Sequence, residues 1–455
     1  MAAIEAPTTG SQPPPETLAD AALRPVLHAG RGWWLVFGAL VALVLIGVAA
    51  YATQLVHGLG VTGKSDQVFW ALYTTSLVAF IGFSYGGALV SAILRLTGAS
   101  WRGPVVRIAE TTALATLLVG ALFPVIHLGH PERVWEFFVM PQFNSPIVWD
   151  LVAITIYMLA TVVLFGLPLV ADMGTLARHP DLGPRRRRLY RVLSFGWRGS
   201  QAQRRHLENA LTVVAILIVP LAIAVHTVLS YAFSLTSRPG WHSTIFGPYF
   251  VVGAIYSGVA VVVLTTALYR RAYHLEGWIT AKVFRNLGFV MVALAIAYGY
   301  ATFTELTTEG YVSEVADAAV LYTLVLERYA ALFWGFVLFG LVVPVVIVAI
   351  PRTRTPGWIA VASACVVGAM YVKRFLITVP PLTRPLIGAE TTTYTPTLVE
   401  MGVVTGAAAG ICLIVMVVFR IFPVLAVYEI EEIEAQERAE ATRIAPQGAT
   451  PGAGT

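Results

Sequence analysis

Long apolar runs dominate the pattern of hydrophobic and polar positions along this chain. A helix that crosses the hydrocarbon core of a bilayer needs roughly 20 apolar residues, because each residue advances the helix by about 1.5 Å. Ten segments meet this requirement, and they predict an all-α, polytopic membrane protein of about ten transmembrane helices. The segments are 33–56, 68–94, 104–128, 146–170, 207–233, 245–269, 284–306, 327–350, 357–377 and 397–421.

The two ends of the chain differ from this apolar middle. Residues 1–32 are rich in proline, threonine and alanine and lack the hydrophobic core of a secretory signal peptide. Residues 427–455 are acidic at first and then rich in glycine, proline and alanine. We therefore expect a disordered N-terminal arm, a membrane domain over 33–426, and a tail in which a short helical extension leads into disorder.

The composition agrees with a membrane protein and narrows the chemistry. Hydrophobic residues make up 57% of the chain and charged residues 12%. The two cysteines, Cys365 and Cys412, lie alone in apolar runs without a CxxC motif, which removes the iron–sulfur clusters, c-type haem and structural zinc that such motifs bind. A second pair of axial histidines is also missing, so two stacked haems are excluded. We expect no metal, no haem and no iron–sulfur cluster in this chain.

Lysine and arginine are distributed unevenly between the two sides of the predicted bundle. Short loops rich in these residues stay in the cytoplasm. The loops and helix ends after the second, fourth, sixth and eighth segments hold 18 of them, and the other side holds seven. Both termini are therefore predicted to be cytoplasmic. This topology also explains the formal charge of +5, so we expect lipid headgroups and no nucleic acid as partners of the basic loops.

Ionisable groups inside apolar segments are costly, so each one is a candidate for function. Each could also be an interfacial side chain that reaches water. Imidazoles can exchange protons with a neutral ring that carries two oxygens, and a carboxylate can orient an imidazole or carry its proton onward. The pattern is typical of a quinol site. The groups that share one depth on the predicted outer side are His127, Asp150, His226, Glu305, Lys373, Arg374 and Glu400.

Fewer polar groups lie in the inner half of the predicted bundle. Arg107 and Glu110 are in the third segment, Glu208 begins the fifth, and Tyr85 is at mid-depth in the second. These groups could be intermediates of a proton path. An ion pair between Arg107 and Glu110, at a helical spacing of i,i+3, is the simpler interpretation.

Six polar or glycine- and proline-rich motifs occur in one order along residues 33–428. They are GLGVTG (58–63), GALFPVIHLGHPERVW (120–135), SPIVWD (145–150), GWRGS (196–200), HTVLSYAFSLTSRPGWHSTIFGPYFVVGAIYSG (226–258) and KRFLITVPPLTRPLIGAETTTYTPTLVEMG (373–402). In this order they resemble the NrfD/PsrC family, the quinone-reactive membrane subunits of polysulfide-reductase-like complexes. Within that family they are most similar to the larger NrfD-like membrane subunit of alternative complex III.

The resemblance implies two four-helix bundles, about 68–233 and 245–377, with flanking helices and a haem-free quinol pocket near the outer face of the first bundle. It implies that His127 and Asp150 bind quinol or handle its protons. His226, Tyr85, Glu305, Arg374 and Glu110 are then the candidates for the rest of the pocket or for a proton path.

The resemblance also implies a setting for the chain. The protein would be a non-autonomous subunit of a quinol:acceptor oxidoreductase in the inner membrane of a prokaryotic cell, within a respiratory or photosynthetic complex and with proton translocation as an option. Its ligand would be menaquinone or ubiquinone. Its partners would be a ferredoxin-like iron–sulfur subunit on the outer face, a molybdopterin-like subunit or cytochrome c behind it, and, in some complexes, a second NrfD-like membrane subunit.

Three positions depart from the alternative complex III pattern and favour the broader family. Ala232 stands where that pattern has an aspartate, Tyr85 where it has a histidine, and Lys373 where it has a glutamate. Two other functions remain open from the residues alone. A secondary transporter would have broken helices near the membrane midplane, and a purely structural anchor would use the outer polar groups only to dock a soluble partner.

Overall fold

The computed structural model of the protein describes residues 17–312, 314–385 and 391–444, with side chains as far as residue 435. Ten helices in this part of the chain are long and apolar enough to cross a membrane, as the apolar runs predict. They are α1 (Arg31–His57), α2 (Leu72–Leu96), α3 (Gly103–His127), α4 (Pro146–Leu176), α5 (Gln201–Ser234), α6 (Phe246–Ala272), α7 (Ala281–Val312), α8 (Ala330–Ala349), α9 (Pro356–Thr383) and α10 (Leu398–Ile421).

Shorter helices lie between and beside these spans. They are Leu18–Leu27, Glu136–Val139, Pro184–Leu193, Val315–Val325 and Val427–Ile444. Part of the predicted disordered N-terminal arm is thus helical, because a Thr17 capping box starts the helix and its apolar face is buried. The acidic tail begins with the expected helix, and the remaining residues of both predicted disordered ends, 1–16 and 445–455, lie outside the described residues.

The spans form two rings of four helices and a flanking pair. Neighbours in the first ring are α2, α3, α4 and α5, and neighbours in the second are α6, α7, α8 and α9. Helix α2 is central, and 83% of its most apolar stretch is buried. Helix α1 packs mainly on α10, and only 6% of its most apolar stretch is buried. This is the predicted arrangement of two four-helix bundles with flanking helices.

Glycines allow the two bundles to join closely. A Cβ atom on Gly86 of α2 would overlap the backbone of Gly258 on α6, and the reverse is also true. Small residues at such a crossing let helix backbones pack against each other, which stabilises helix pairs in lipid. The α2–α6 contact therefore fixes the first bundle against the second.

Because ten spans separate them, the N-terminal helix and the acidic tail lie at the same end of the molecule. We call this the basic end, since it also carries the loops after α2, α4, α6 and α8. Here Arg420 donates to the carbonyls of Pro25 and Val26 at 2.7 and 2.6 Å, and Glu429 of the tail pairs with Arg95. The loops after α1, α3, α5, α7 and α9 form the opposite end, where most of the predicted site residues lie.

Candidate functional site

A cavity of about 560 Å³ opens at the opposite end of the first bundle. Its wall is formed by the loop after α1 and by the end of α3. Helix α3 is interrupted after Gly120, and the separate turn Phe123–His127 carries His127 to the cavity. Apolar and polar side chains both contribute to the wall, which consists of Leu59, Gly60, Lys64, Ser65, Asp66, Phe69, His127, Leu128 and Gly129.

Lys64 is the partner of His127. Its Nζ lies 3.3 Å from His127 Nδ1 and 3.3 Å from the carbonyl oxygen of the same residue, and 4.8 Å above the ring of Tyr73. From the sequence, Lys64 is only one of the seven lysines and arginines on the predicted outer side. A signal was present, since Lys64 directly follows the GLGVTG motif and is the one lysine or arginine in residues 58–71.

Glu400 holds the loop that carries Lys64. Its Oε2 accepts a hydrogen bond from the backbone N–H of Gly63 at 2.9 Å, and its Oε1 accepts one from the Tyr394 hydroxyl at 2.9 Å. Glu400 itself starts α10 as part of a capping box with Thr397. This predicted candidate is therefore a positioning residue whose contacts fix the backbone next to the cavity.

The protonation state of Lys64 controls what His127 can do. Burial lowers the pKa of Lys64 to about 8, although the carboxylate of Glu400 acts in the opposite direction. A protonated Lys64 has no lone pair, so it can only donate a hydrogen bond to Nδ1. The proton of a neutral His127 is then on Nε2. A neutral Lys64 amine can instead accept from Nδ1, which leaves Nε2 as an acceptor.

A second group of predicted residues lies inside the first bundle. The ring of Tyr85 on α2 contacts His226 on α5, with centroids 4.4 Å apart, and Tyr157 on α4, with centroids 4.5 Å apart. Asp150, on the second turn of α4, is close enough for its charge to act on the Tyr85 hydroxyl. The structure thus brings Tyr85, Tyr157 and His226 into contact from three helices, and Asp150 lies within electrostatic range of the Tyr85 hydroxyl.

Several polar atoms of this group have no hydrogen-bond partner among the described residues. They are the Tyr85 hydroxyl, Asp150 Oδ1 and both ring nitrogens of His226. A buried polar atom left unpaired costs about 1–3 kcal/mol, so such clusters usually bind water or take part in chemistry. The adjoining cavity beside His226 and Arg374 measures only about 10 Å³, which is on the order of one water molecule. A quinone ring does not fit there.

The structure does not pair His127 with Asp150. In the described residues no hydrogen bond or ion pair joins them, although α3 and α4 are neighbours as predicted. The interruption of α3 explains this difference, because it turns His127 toward Lys64, while Gln54 of α1 donates to the carbonyl of Ile126 at 3.0 Å. Asp150 faces the interior of the bundle instead.

Arg374 and Glu305 lie apart from the cavity beside His127. Arg374 donates from Nη2 to the carbonyl of Gly253 at 2.9 Å and to the hydroxyl of Ser257 at 3.0 Å, so it ties α9 to α6. Glu305 lies in the second bundle, with Oε2 3.9 Å from Lys373 Nζ. Neither residue lines the large cavity beside His127.

The inner polar group is centred on a pair that the sequence did not indicate. Arg107 donates from Nη2 to Asp172 Oδ2 at 2.6 Å and from Nη1 to the carbonyl of Phe165 at 3.0 Å. Glu110 lies 3.8 Å from Arg107 and accepts a hydrogen bond from Ser91 at 2.8 Å. The predicted Arg107–Glu110 pair is present, but Asp172 makes the closer contact.

Comparison with known proteins gives the family. The sequence matches the model of the polysulphide reductase NrfD family over residues 60–385. It is 28% identical over 422 residues to a putative dimethyl sulfoxide reductase membrane subunit of Halobacterium salinarum, and the match covers 87% of this chain and 92% of that protein. It is 24% identical over 396 residues to the Hdr-like menaquinol oxidoreductase integral membrane subunit of Archaeoglobus fulgidus, covering 83% and 90%.

A third relative matches over a shorter stretch of the chain. A selenate reductase subunit of Mesobacillus selenatarsenatis is 27% identical over 242 residues, which cover 50% of this chain and 55% of that protein. The family model spans α2 to α9, the same helices that form the two bundles and carry His127, Asp150 and His226. The chain is therefore a multi-pass membrane protein that belongs to the polysulphide reductase NrfD family.

Proposed function

We propose that this chain is the quinone-binding membrane subunit of an oxidoreductase complex and that the cavity beside His127 receives the quinone head. The observation that carries the proposal is a cavity of about 560 Å³ with His127 and Lys64 on its wall. Sites for small molecules are typically about 300–1,000 Å³, mostly apolar, with a few polar groups that fix orientation. Leu59, Phe69 and Leu128 supply the apolar part of such a wall.

The paired side chains suit a substrate that exchanges protons. In quinol oxidation, Nε2 of His127 accepts a proton from a quinol hydroxyl while Nδ1 passes its own proton to the neutral amine of Lys64. The protonated Lys64 then releases that proton to water in the open cavity. Before the second transfer the imidazole loses its Nε2 proton to water and regains one on Nδ1, so the net result of each cycle is one quinol proton released to water. Quinone reduction runs these transfers in reverse. Two such transfers, with two electrons to a redox partner, complete the conversion of quinol to quinone.

The names of the relatives support a reductase setting. The matched proteins are named as subunits of dimethyl sulfoxide reductase, selenate reductase and a menaquinol oxidoreductase. We propose menaquinone as the first choice of quinone and ubiquinone as the second. The electron partner is an iron–sulfur subunit docked at the opposite end, with a molybdopterin-like subunit or cytochrome c beyond it, and a second NrfD-like subunit is a further option in the membrane.

The rival functions have less support. A secondary transporter would interrupt helices at the midplane, whereas the breaks in α3 and α9 lie close to the helix ends, after Gly120 and Thr378. The π-helical turn Val337–Val342 in α8 leaves that span continuous. A purely structural anchor would not need the cavity. Binding of a quinone analogue by the isolated chain tests the proposal directly, and no saturable binding would favour the anchor.

Reporter fusions test the orientation that this proposal requires. We expect fusions after Pro141 and after Arg384 to report the outside of the inner membrane, and fusions near Arg186 to report the cytoplasm. The reason is the excess of lysine and arginine in the loops of the basic end. A reversed pattern of reporter activity would place the His127 cavity on the cytoplasmic side and would contradict an external iron–sulfur partner.

The pKa of Lys64 predicts how the rate of quinol oxidation depends on pH. The neutral amine is the form that accepts a proton, and its fraction rises as pH increases through about 8. We therefore expect the initial rate of quinol oxidation by the purified complex to rise roughly tenfold from about pH 7 to about pH 9 and then to level off.

The matched variant for this test is Lys64→Arg, which keeps the positive charge and the donors. An arginine stays protonated throughout this range, so the rise should disappear and the rate should stay low. An identical rise in wild type and Lys64→Arg would show that another group accepts the proton.

A further inference from the structure

A histidine and two carboxylates meet at the opposite end of the second bundle, away from the quinone cavity. His242 is in the loop after α5, Glu314 directly precedes the helix Val315–Val325, and Asp317 lies in the first turn of that helix. One potential ligand atom from each residue lies within 4.8 Å of the other two. The Nε2 of His242 and the Oδ2 of Asp317 are 3.3 Å apart. Two ligands on one zinc ion, each at about 2.0–2.2 Å, have a similar separation of about 3.3–3.6 Å.

The hydrogen bond at Nδ1 of His242 leaves Nε2, the other ring nitrogen, free to bind a cation. Nδ1 lies 3.1 Å from the carbonyl oxygen of Arg238, which can only accept, so Nδ1 carries a proton. In a neutral imidazole the lone pair is then on Nε2, which faces a carboxylate oxygen of Asp317. Two lone pairs in contact repel each other unless a proton or a metal ion lies between them. Metal-bound histidines usually have this type of second hydrogen bond.

The surrounding loop holds the candidate ligands in place. The backbone N–H of Gly240, at a φ of 78° that favours glycine, donates to Asp317 Oδ1 at 2.7 Å. Trp241 donates from its ring N–H to the carbonyl of Ile377 at 2.7 Å, and Arg238 donates to the carbonyl of Arg384 at 3.1 Å. The site thus has supporting contacts of its own, and the side chain of Glu314 does not cap the helix that it precedes.

The cluster lies on the wall of a cavity that is lined by acidic side chains. The cavity measures about 190 Å³, and its wall includes the three ligand candidates together with Glu305 and Glu309. Glu305 is only 7% exposed, and its Oε2 makes no hydrogen bond with any described residue. This Oε2 lies 3.9 Å from Lys373 Nζ. Four carboxyl groups share this cavity, and a bound cation would stabilise their ionised forms.

We propose that His242, Glu314 and Asp317 bind a divalent cation of the zinc class, which joins the loop after α5 to the helix after α7. A ligand set of one imidazole nitrogen and two carboxylates suits zinc and its neighbours in the first transition row. Magnesium and calcium prefer all-oxygen ligands and do not need the histidine. The expected absence of metals rested on the missing cysteine motifs, which do not bear on a site of one histidine and two carboxylates.

Calorimetric titration of Zn²⁺ into the purified full-length chain tests the proposal. The protein should carry a tag without histidines. Asp20, His179 and Asp181 form a second cluster of this type at the basic end, so all measurements use a His179→Ala background. We expect saturable binding of one zinc ion per chain, unaffected by excess Mg²⁺. X-ray absorption of the zinc-loaded protein should show a nitrogen ligand.

Two variants identify the ligands, and a third is the matched control. His242→Ala and Glu314→Gln should each weaken zinc binding by at least about tenfold, and His242→Ala should also remove the nitrogen ligand from the absorption spectrum. Neither substituted residue takes part in the hydrogen bond between Gly240 and Asp317. His130 pairs with Glu132 at 2.8 Å at the same end but belongs to no three-residue cluster among the described residues, so His130→Ala should bind zinc as the background protein does.

The opposite results would overturn the proposal. If the background protein shows no saturable zinc binding, the contact between His242 and Asp317 is an ion pair that a proton stabilises. If zinc binds with equal affinity to the background protein, His242→Ala and Glu314→Gln, its site lies elsewhere in the chain.

Discussion

Replacing His127 with alanine is expected to lower quinol turnover by roughly 10²- to 10⁴-fold, the range typical of a lost acid–base group. The imidazole is the one group in the cavity wall that can both take a proton from quinol and pass another to Lys64, whose Nζ lies 3.3 Å from Nδ1. The loss should appear mainly in kcat, because the apolar wall of the cavity still binds the ring. The measurement is steady-state quinol oxidation by the purified complex.

Two further variants make this test specific. His130→Ala removes another histidine three residues along the same loop, one that is exposed and bonded to Glu132, and it should turn over quinol at the wild-type rate. His127→Gln keeps a hydrogen-bond donor but cannot relay a proton, so it should retain quinone-analogue binding and lose turnover. If His127→Ala assembles with its partners and keeps the wild-type rate, the reaction takes place elsewhere, and Arg374 and Glu305 become the next candidates.

The spans could be predicted from the sequence because a helix that crosses lipid needs a long apolar run. Few other backbone structures can satisfy their hydrogen bonds inside a bilayer. All ten predicted segments coincide with helices, and their errors are at the ends. Helix α5, predicted over 207–233, begins earlier at Gln201 because Ser200 and Gln203 form a capping box. The first turns are polar, so a criterion based on apolar residues stops short of them.

The end of the bundle at which a side chain lies could be predicted from the sequence, but its direction around the helix axis could not. His127 and Asp150 have similar predicted depths, yet the first contacts Lys64 and the second is buried inside the first bundle. A break in a helix changes the direction of every later side chain, and nothing in the sequence around Pro124 fixes the size of that change. Site residues on separate helices therefore needed the structure.

Contacts between residues far apart in the chain also could not be predicted from the sequence. Spacing within a helix indicated an Arg107–Glu110 pair, whereas the closer partner, Asp172, is on another span. The loop of Lys64 is likewise held by Glu400, which is 337 positions away from Gly63 in the chain. Residue spacing reports neighbours on one helix, and pairs of this kind depend on how the helices pack.

Arg107→Leu is expected to reduce the free energy of unfolding by about 3–5 kcal/mol, the cost of leaving one partner of a buried ion pair without the other. Both side chains are fully buried, and the distance between Nη2 and Asp172 Oδ2 is 2.6 Å. The lost hydrogen bond to the carbonyl of Phe165 adds to the effect. Denaturant unfolding of the purified chain in mixed micelles, followed by tryptophan fluorescence, would measure the change.

The double variant Arg107→Leu/Asp172→Asn separates a structural pair from a step in a proton path. The asparagine removes the unpaired charge and can still accept from the backbone N–H of Tyr428, which lies 2.8 Å from Asp172 Oδ1. Most of the lost stability should therefore return. Because this pair lies in the half of the bundle near the basic end, we expect wild-type quinol turnover and proton release from the recovered protein. A stable double variant with reduced proton release would instead place a proton path through Arg107 and the neighbouring Glu110.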